Sequence, residues 1–363
     1  MQFERRPNPA PMDADARAAI LADPGFGKHF SDHMVSIAFD VDEDGSNARW
    51  HSATVGPREP LALDPAAAVL HYAQEIFEGM KAYHHPDGGV ALFRPEANAV
   101  RFNNSADRMA MPHLPPEMFV AAVRELVAAD RDWFPTVDGG ALYLRPFMIA
   151  TEAFLGVRPA RQYRFLVIAS PVGGYFKSGA PAVSLWLSDY SRAAPGGTGA
   201  AKAGGNYAAS LVPTKEAFAR GHDQVLFLDA VERKWVEELG GMNLFFAMAD
   251  GSVVTPPLTG TILPGITRDS LITLMREDGL TVREEPYSID QWQADAESGA
   301  LLEVMACGTA AVVTAVGKVE GEDRAFTIGS GGPGQLTQKL RERLVGIQTG
   351  TVKDTHGWVM RLD

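Results

Sequence analysis

The sequence predicts a protein of two domains that combine helices and strands, an α/β (α+β) fold class. Its 363 residues suggest two domains at about 150 residues each. Helix signals alternate with strand-like runs along the chain. Between Pro171 and Gly205 the composition changes to glycine, alanine, proline and serine. We therefore expect a smaller N-terminal domain over residues 1–174, a linker over 175–183, and a larger C-terminal domain over 184–363 with a mixed or antiparallel sheet.

In the N-terminal domain, prolines and turn residues indicate where elements begin. The first sixty residues have no regular pattern and predict an arm or short strands. Asp64 followed by Pro65 predicts a helix start, with the helix continuing to about Gln74. The other predicted elements are a hairpin of Gly79–Tyr83 and Val90–Phe93, helices from Pro95 to about Arg108 and from Pro116 to about Asp132, and strands at Leu142–Ala150 and Arg164–Ser170.

In the C-terminal domain, short apolar runs predict most of the strands. Three of them, joined by turns, predict an antiparallel meander: Val225–Asp229, Lys234–Leu239 and Met242–Ala249. Capping residues predict two helices, one from Thr267 to before Gly279 and one after Ser288. The remaining predicted elements are strands at Ala182–Ser188, Leu301–Ala306 and Ala310–Val319, and a helix from Gln335 to about Gln348.

Charge and cysteine content limit the partners and the compartment. The chain carries 33 Lys and Arg against 45 Asp and Glu, a net charge of −12, which argues against nucleic acid or an anionic membrane as a partner. Its one cysteine, Cys307, allows no intramolecular disulfide and no Cys-based zinc site. The N-terminus lacks the apolar run of a secretory signal, and no run in the sequence approaches the roughly 20 apolar residues that span a bilayer. We expect a cytoplasmic protein without a metal.

Lys202 is the first candidate for chemistry. It lies in AAPGGTGAAKAGGNY, where small uncharged residues surround it and no carboxylate is near in sequence. A flexible glycine linker has this composition too. A lysine nucleophile, however, needs small neighbours that admit a reaction partner. Both interpretations stay open from composition alone.

Two adjacent glutamates, Glu237 and Glu238, end a predicted strand before a Gly-Gly turn. Strand alternation points only one of them inward. We expect Glu238 to be the functional carboxylate and Glu237 to be solvated, although an exposed edge is the common environment for glutamate.

Two segments are suited to bind anions. In LPGITRDSL, the N–H groups of Ile266 and Thr267 lie at a helix start, where the helix dipole favours negative charge. In LYLR, alternation places Tyr143 and Arg145 on one face of a strand. An ordinary capped helix and a surface strand have the same patterns, and a structural ion pair is the less favoured alternative for Arg145. Arg101, taken alone, fits a solvated arginine.

A competing motif runs from Gly329 to Gly334 and matches G-x-G-x-x-G between a strand-like run and a helix. This pattern is typical of dinucleotide binding, with Asp354 at a suitable distance. Only nine residues follow Asp354, so the second half of a doubly wound sheet has no room. A nicotinamide-dependent dehydrogenase is therefore the less favoured alternative.

Taken together, the segments resemble the branched-chain amino acid aminotransferases, pyridoxal-phosphate enzymes of fold type IV. The resemblance extends from about Gly27 to Val359, in the family's order and spacing. The segments that carry it are HYAQEIFEGMKAY, LFRPEANAVRF, LYLRPFMIA, SPVGGYF, AKAGGNY, EELGGMNLFF, ILPGITRDSL and ACGTAAVV.

The resemblance implies a role for each matching position. Lys202 matches the lysine that binds pyridoxal 5′-phosphate covalently, Glu238 the carboxylate on the pyridine nitrogen, and Tyr207 the tyrosine on the ring hydroxyl. The positions that match the phosphate site are Arg101, Ile266, Thr267 and Thr309. Those that match groups for the substrate carboxylate are Tyr72, Thr309 and Ala310. The side-chain pocket matches Phe77, Tyr143 and Tyr175, and Arg145 matches the arginine for the distal carboxylate of glutamate.

The function that the resemblance implies is transfer of an amino group between leucine, isoleucine or valine and 2-oxoglutarate, by a homodimer. A D-amino acid aminotransferase or an aminodeoxychorismate lyase would share the fold and the cofactor. A non-catalytic interaction protein would keep the core without the lysine chemistry. The two related enzymes would act on other substrates, and the interaction protein would show no cofactor absorbance.

Overall fold

The computed structural model describes residues 2–173 and 182–362. Residue contacts divide the chain into two compact units. Among the described residues, the first unit comprises 2–173, 201–204 and 347–362, and the second comprises 182–200 and 205–346. The segment around Lys202 and the end of the chain thus belong to the first unit. Most of the expected linker 175–183 lies outside the described residues, and the predicted domain boundaries stay a prediction.

The first 173 residues fold into strands with two long helices, each of which has a proline in its first turn, where a missing N–H costs nothing. A short 3₁₀ turn, Arg131–Trp133, follows the second of these helices. In chain order the elements are β1 (Glu4–Arg5), α1 (Ala14–Ala22), β2 (His33–Asp40), β3 (Arg49–Pro57), α2 (Ala68–Tyr72), β4 (Glu75–Phe77), β5 (Met80–His84), β6 (Val90–Phe93), α3 (Pro95–Arg108), α4 (Pro116–Ala129), β7 (Ala141–Ala150) and β8 (Gln162–Val172).

The chain from residue 182 onward contains shorter strands and more helices. They are β9 (Ala182–Leu187), α5 (Gly204–Ala208), α6 (Leu211–Ala219), β10 (Gln224–Leu228), β11 (Val236–Leu239), β12 (Asn243–Met248), β13 (Ser252–Thr255), α7 (Ile266–Glu277), β14 (Thr281–Glu284), α8 (Ile289–Ser298), β15 (Leu301–Gly308), β16 (Val312–Glu320), β17 (Ala325–Thr327), α9 (Gln335–Thr349) and β18 (Val359–Arg361). None of the helices in the described ranges is both long enough and apolar enough to span a membrane.

The sheet of the first unit has nine described strands. Eight follow the order β1-β3-β2-β8-β7-β5-β6-β18, and β4 pairs with β7. Helices α3 and α4 cover the sheet through three phenylalanine rings, Phe102, Phe119 and Phe165, whose centroids lie 5.5 to 5.8 Å apart. Fully buried aromatic side chains contribute strongly to core stability, so this cluster fixes α3 against β8. It thereby fixes the positions of the polar residues that α3 carries.

The sheet of the second unit has the order β11-β10-β9-β16-β15-β12-β13-β14, with β17 paired to β16. It is mixed, because β9 runs parallel to both of its neighbours and β13 runs parallel to β14. Trp292 of α8 packs between Phe246 and Phe326, with ring centroids 4.8 and 5.8 Å away. The predicted mixture of helices and strands is confirmed, as is a mixed sheet in the C-terminal part.

Several local predictions are confirmed because their signals are local. The hairpin pairs His84 with Val90, as its turn residues indicate. Helix α3 has the predicted bounds, and α4 ends three residues before the expected Asp132. The hydroxyl of Ser288 accepts a hydrogen bond from Gln291 N at 3.0 Å and caps α8.

The prediction for the first sixty residues is wrong. Strands β2 and β3 are eight and nine residues long and pair antiparallel. Val35, Ile37 and Phe39 are buried on one face of β2. Their period of two was a usable strand signal.

Two further predictions are wrong. The helix expected over residues 65–74 is only Ala68–Tyr72, because Asp64 closes a turn with Ala66 and Ala73 adopts a left-handed conformation that ends the helix. The meander fails as well. Strand β12 pairs with β13 and β15, whereas β11 pairs with β10 at the other end of the strand order.

Candidate active site

Lys202 lies in a short, anchored segment just before α5. Its backbone N–H donates to Ser105 Oγ at 2.9 Å, and its carbonyl accepts from Phe77 N at 3.0 Å. Its neighbours Ala201 and Ala203 are buried, while Lys202 itself is half-buried. The linker interpretation is therefore wrong, since a flexible linker has a solvated backbone.

Lys202 lies beside aromatic side chains that the sequence analysis assigned to the side-chain pocket. The Lys202 Nζ atom is 4.9 Å from the centroid of the Phe77 ring. The Arg145 guanidinium lies over the same ring at 4.7 Å and over the Tyr143 ring at 5.5 Å. Arg145 Nη2 also donates to the Tyr143 hydroxyl at 3.2 Å. The structure thus brings together four predicted residues, Lys202, Phe77, Tyr143 and Arg145.

Strand alternation explains this group. Tyr143 and Arg145 share the half-buried face of β7, and Leu142 and Leu144 are buried on the other face. Phe77 of β4 pairs with Phe147 of β7, so β4 lies next to that face. The predicted arrangement of the LYLR segment is confirmed. No described carboxylate forms an ion pair with Arg145, and its Nε atom is buried without a hydrogen-bond partner among the described residues.

Arg101, in contrast, is part of a buried ion pair. Its Nε and Nη2 atoms donate to the two oxygens of Glu78 at 2.8 and 2.7 Å. Arg101 is 7% exposed and Glu78 is 0% exposed. Asn98 Nδ2 donates to Glu78 as well, at 2.7 Å. The solvated interpretation of Arg101 is therefore wrong, and a role for Arg101 toward a phosphate stays a prediction.

Tyr72 lies apart from this group. Its hydroxyl donates to the Leu155 carbonyl at 2.5 Å, and the residue is 38% exposed. No described hydrogen bond or ring contact joins Tyr72 to Lys202, Phe77 or Arg145. Tyr175, predicted for the side-chain pocket, lies outside the described residues.

In the second unit, Glu238 is buried and held by three donors. Arg192 forms an ion pair with Glu238 Oε1, and Leu263 N donates to the same oxygen at 3.2 Å. Asn243 Nδ2 donates to Oε2 at 3.3 Å. Arg192 is itself fixed by the carbonyl of Thr261 at 2.7 Å. These donors fix the orientation of the buried carboxylate.

Glu237 departs from the expectation of a solvated side chain. It is 6% exposed, because all four residues of β11 are buried on both faces. Burial raises the pKa of Glu237, although the Thr261 hydroxyl on Oε1 and the nearby Arg192 charge work in the opposite direction. Its Oε2 atom has no hydrogen-bond partner among the described residues. The two glutamates therefore differ in their partners and not in their burial.

Ile266 and Thr267 are the first two residues of α7, as the sequence predicted within one residue. No side chain in the described ranges caps this end. Gly265 precedes the helix, and a Cβ atom there would overlap Asn243 Oδ1. The backbone therefore approaches Asn243 closely, and the N–H groups of the first turn are suited to an anion.

The other predicted residues lie in turns or short elements. Thr309 and Ala310 are half-buried in the turn between β15 and β16, where Gly308 pairs with Val312. Tyr207 is half-buried on α5, five residues after Lys202. Among the described residues there is no group of three His, Cys, Asp or Glu side chains that could hold a metal ion.

In the glycine motif from Gly329 to Gly334, a side chain of the protein occupies the place where a ligand phosphate would bind. Glu303 accepts hydrogen bonds from Leu336 N at 3.0 Å and from Thr337 N at 2.9 Å, so a carboxylate occupies the start of α9. A Cβ atom on Gly334 would overlap that carboxylate. Strand β17 is antiparallel to β16, unlike a dinucleotide-binding βαβ unit. The dehydrogenase alternative has no support in this geometry.

Comparisons with known proteins decide the family. A model of the amino-transferase class IV family matches residues 75–319. The chain is also 54% identical over 368 residues to the branched-chain-amino-acid aminotransferase of Mycolicibacterium smegmatis, with 100% of this chain and 99% of that protein covered. The chain belongs to the class IV aminotransferases. The resemblance seen in the motifs, including fold type IV, is confirmed.

Solved structures of branched-chain amino acid aminotransferases are similar to this chain. The Escherichia coli branched-chain amino acid aminotransferase has a TM-score of 0.74 at 30% identity, covering 85% of this chain and 97% of that one. The Thermobaculum terrenum branched-chain amino acid aminotransferase, solved in its pyridoxal-phosphate form, has a TM-score of 0.70 at 26% identity, covering 85% and 96%.

Sequence reasoning missed the partners of the predicted residues. Glu78, Ser105, Arg192 and Asn243 each hold a predicted residue in place. All of them except Asn243 lie far along the chain from the residue that they hold. Their residue types gave no signal, because the partner is defined only by the fold. Asn243, just after the Gly-Gly turn, lay close to a residue that the sequence singled out.

Proposed function

We propose that the chain is a pyridoxal-phosphate-dependent transaminase that moves an amino group between leucine, isoleucine or valine and 2-oxoglutarate. Membership of the class IV aminotransferases supports the reaction type. A relative at 54% identity and the solved structural neighbours are branched-chain amino acid aminotransferases, which supports the substrates. The position-by-position match of the site residues adds to both.

The observation that carries this proposal is the position of Arg145. Its guanidinium lies against the rings of Phe77 and Tyr143, beside Lys202 and without an ion-pair partner among the described residues. Aromatic faces suit a branched aliphatic side chain. A cation at the same place suits the second carboxylate of glutamate. One pocket can then accept both amino donors in turn, as ping-pong transamination requires.

The residues of the chain fit the cofactor. Glu238 is a buried carboxylate suited to a protonated pyridine nitrogen. The uncapped start of α7 is suited to a phosphate group, and Gly265 lets the backbone approach there. When bound, pyridoxal 5′-phosphate supplies an electron sink for the bond changes at the substrate Cα. The residues proposed to hold it are Lys202, Arg101, Tyr207, Glu238, Ile266, Thr267 and Thr309.

Lys202 has two proposed tasks. Its Nζ atom would hold the cofactor covalently, and its free amine would take the proton from the substrate Cα and deliver it to the cofactor carbon C4′, which carries the transferred amino group. The aromatic ring of Phe77 lies beside this amine, with its centroid 4.9 Å from Nζ. Tyr72, Thr309 and Ala310 are proposed for the substrate carboxylate, and Phe77, Tyr143 and Tyr175 for the pocket walls.

We further propose a cytoplasmic homodimer. The exposed apolar side chains Leu70, Leu155 and Val157 lie along the two segments joined by the Tyr72 to Leu155 hydrogen bond, and a second copy would cover them. The single, buried Cys307 supports a reducing compartment.

The test is a substrate panel. The purified protein is supplied with pyridoxal 5′-phosphate and mixed separately with L-leucine, L-isoleucine, L-valine, L-glutamate and D-alanine, and the visible cofactor absorbance is followed. We expect the four L-amino acids to convert the bound cofactor and D-alanine to leave it unchanged. Conversion by D-alanine alone would support the D-amino acid aminotransferase alternative, and conversion by none would overturn the proposal.

A further inference from the structure

Two side chains, Ser105 and Glu75, contact the backbone of the segment that carries Lys202. Ser105 of α3 is 1% exposed. Its Oγ atom accepts the Lys202 N–H at 2.9 Å and donates to the Arg101 carbonyl at 3.0 Å. One hydroxyl thus binds the backbone of the lysine and the helix that carries Arg101.

The second side chain is Glu75 of β4. Its carboxylate lies against the backbone of Gly204, two residues after the lysine, where the Gly204 N–H acts on it as a donor. Gly204 has no side chain to block this contact, and a Cβ atom there would overlap Glu75 Oε1. Desolvation raises the pKa of Glu75, while this N–H and the Arg145 charge lower it. The carboxylate therefore lies in a partly desolvated position, where its hydrogen bond counts for more than in water.

We propose that Ser105 and Glu75 are positioning residues that hold the Lys202 segment for proton transfer. This inference rests on the function proposed for Lys202. Together with Phe77 N on the Lys202 carbonyl, the two side chains bind the segment at three backbone atoms within three residues. Proton transfer requires a base held within hydrogen-bond reach of its proton, so loss of either contact lowers kcat more than it changes KM.

Amide hydrogen exchange tests the contacts one at a time in the holoenzyme. Ser105→Ala should speed exchange of the Lys202 amide about tenfold and leave the Gly204 amide unchanged. Glu75→Ala should speed exchange of the Gly204 amide and leave the Lys202 amide unchanged. Ser31→Ala is the matched control, because Ser31 is equally buried and its Oγ donates to the Ala169 carbonyl, away from this segment.

Kinetics supply the second readout. Gly204→Ala should displace the Glu75 carboxylate and lower kcat for leucine about tenfold, with KM changed less than about twofold. Gly205→Ala is the matched control, since a Cβ atom there meets nothing within 4 Å. Ser105→Thr keeps the hydroxyl and should recover part of the kcat that Ser105→Ala loses.

Two results would overturn the inference. One is unchanged exchange at both amides in Ser105→Ala and Glu75→Ala. The other is an equal loss of kcat in Gly204→Ala and Gly205→Ala. Failure of the proposed function would be seen separately, as a parent protein that does not transaminate while the exchange pattern of the variants is still measurable.

Discussion

Arg101 and Arg145 lie in the same unit, and their guanidinium groups are held in different ways. Arg101 is buried and bound through two nitrogens to Glu78. Arg145 lies against the rings of Phe77 and Tyr143, and no described carboxylate forms an ion pair with it. Ring faces attract a cation without neutralising its charge. Arg145 therefore keeps its charge for a ligand, whereas the charge of Arg101 is already balanced by the fold.

The second unit contains a similar contrast between adjacent carboxylates. Glu238 has a cationic partner in Arg192 and two further donors, and Glu237 has one hydroxyl partner and, among the described residues, an unpaired oxygen. Burial does not separate the two residues. Their partners do, since Arg192 forms an ion pair with Glu238 and the Thr261 hydroxyl binds Glu237.

The largest expected effect is that of Lys202→Ala, which removes the group common to both half-reactions. We expect transamination with leucine and with glutamate to fall at least about a thousandfold, because the covalent link and the proton carrier are lost together. The fold should persist, since Ala201 and Ala203 keep their buried positions. Lys215→Ala, on the exposed side of α6, is the control and should keep full activity. Substantial turnover in the Lys202 variant would contradict the assignment.

Glu78→Gln tests the paired arginine. Removing one charge of a buried ion pair leaves the other uncompensated, so the free energy of unfolding should fall by about 3–5 kcal/mol. Glu43→Gln, which breaks the exposed pair with Arg161, should cost about 1 kcal/mol or less. Denaturant unfolding of both variants measures the difference. Equal, small losses would mean that the Arg101 pair contributes no more than a surface pair.

Glu238→Gln and Glu237→Gln form a matched pair. A neutral amide at position 238 cannot hold a pyridine nitrogen protonated, so kcat should fall about ten- to a hundredfold while the cofactor stays bound. The change at position 237 should leave kcat nearly unaltered. A larger loss of kcat at 237 than at 238 would reverse the assignment.

Glu237 also predicts a pH dependence. Burial raises the pKa of Glu237 in the folded state above its value in the unfolded chain. As the pH rises through this range, the unfolded chain ionises Glu237 more readily than the folded protein does, so the free energy of unfolding falls. Glu237→Gln has no ionisable carboxyl group at this position. Its free energy of unfolding relative to the parent should therefore increase between about pH 4 and pH 8, and a constant difference would exclude the effect.

The sequence predicted the parts of the fold whose signals are local. Proline at the first turn located α3 and α4, and alternation located the half-buried face of β7 that carries Tyr143 and Arg145. Motif order identified the family, and the role of Lys202 stays a prediction. The pairing of Arg101 could not be predicted, because Glu78 lies 23 residues away and contacts it only after β4 and α3 have packed. Burial of Glu237 was missed because alternation assumes one solvated face, and β11 has none.

Single-turnover kinetics of Arg145→Ala with leucine and with glutamate test whether one pocket serves both amino acids through Arg145. If Arg145 serves the distal carboxylate, glutamate should lose about 1.5–3 kcal/mol of binding, roughly ten- to more than a hundredfold in its half-reaction, because a charge-assisted contact is removed. Leucine carries no distal charge, and its half-reaction should change less than about threefold, a fraction of one such contact. Equal slowing with both amino acids would contradict this account and leave Arg145 a structural role.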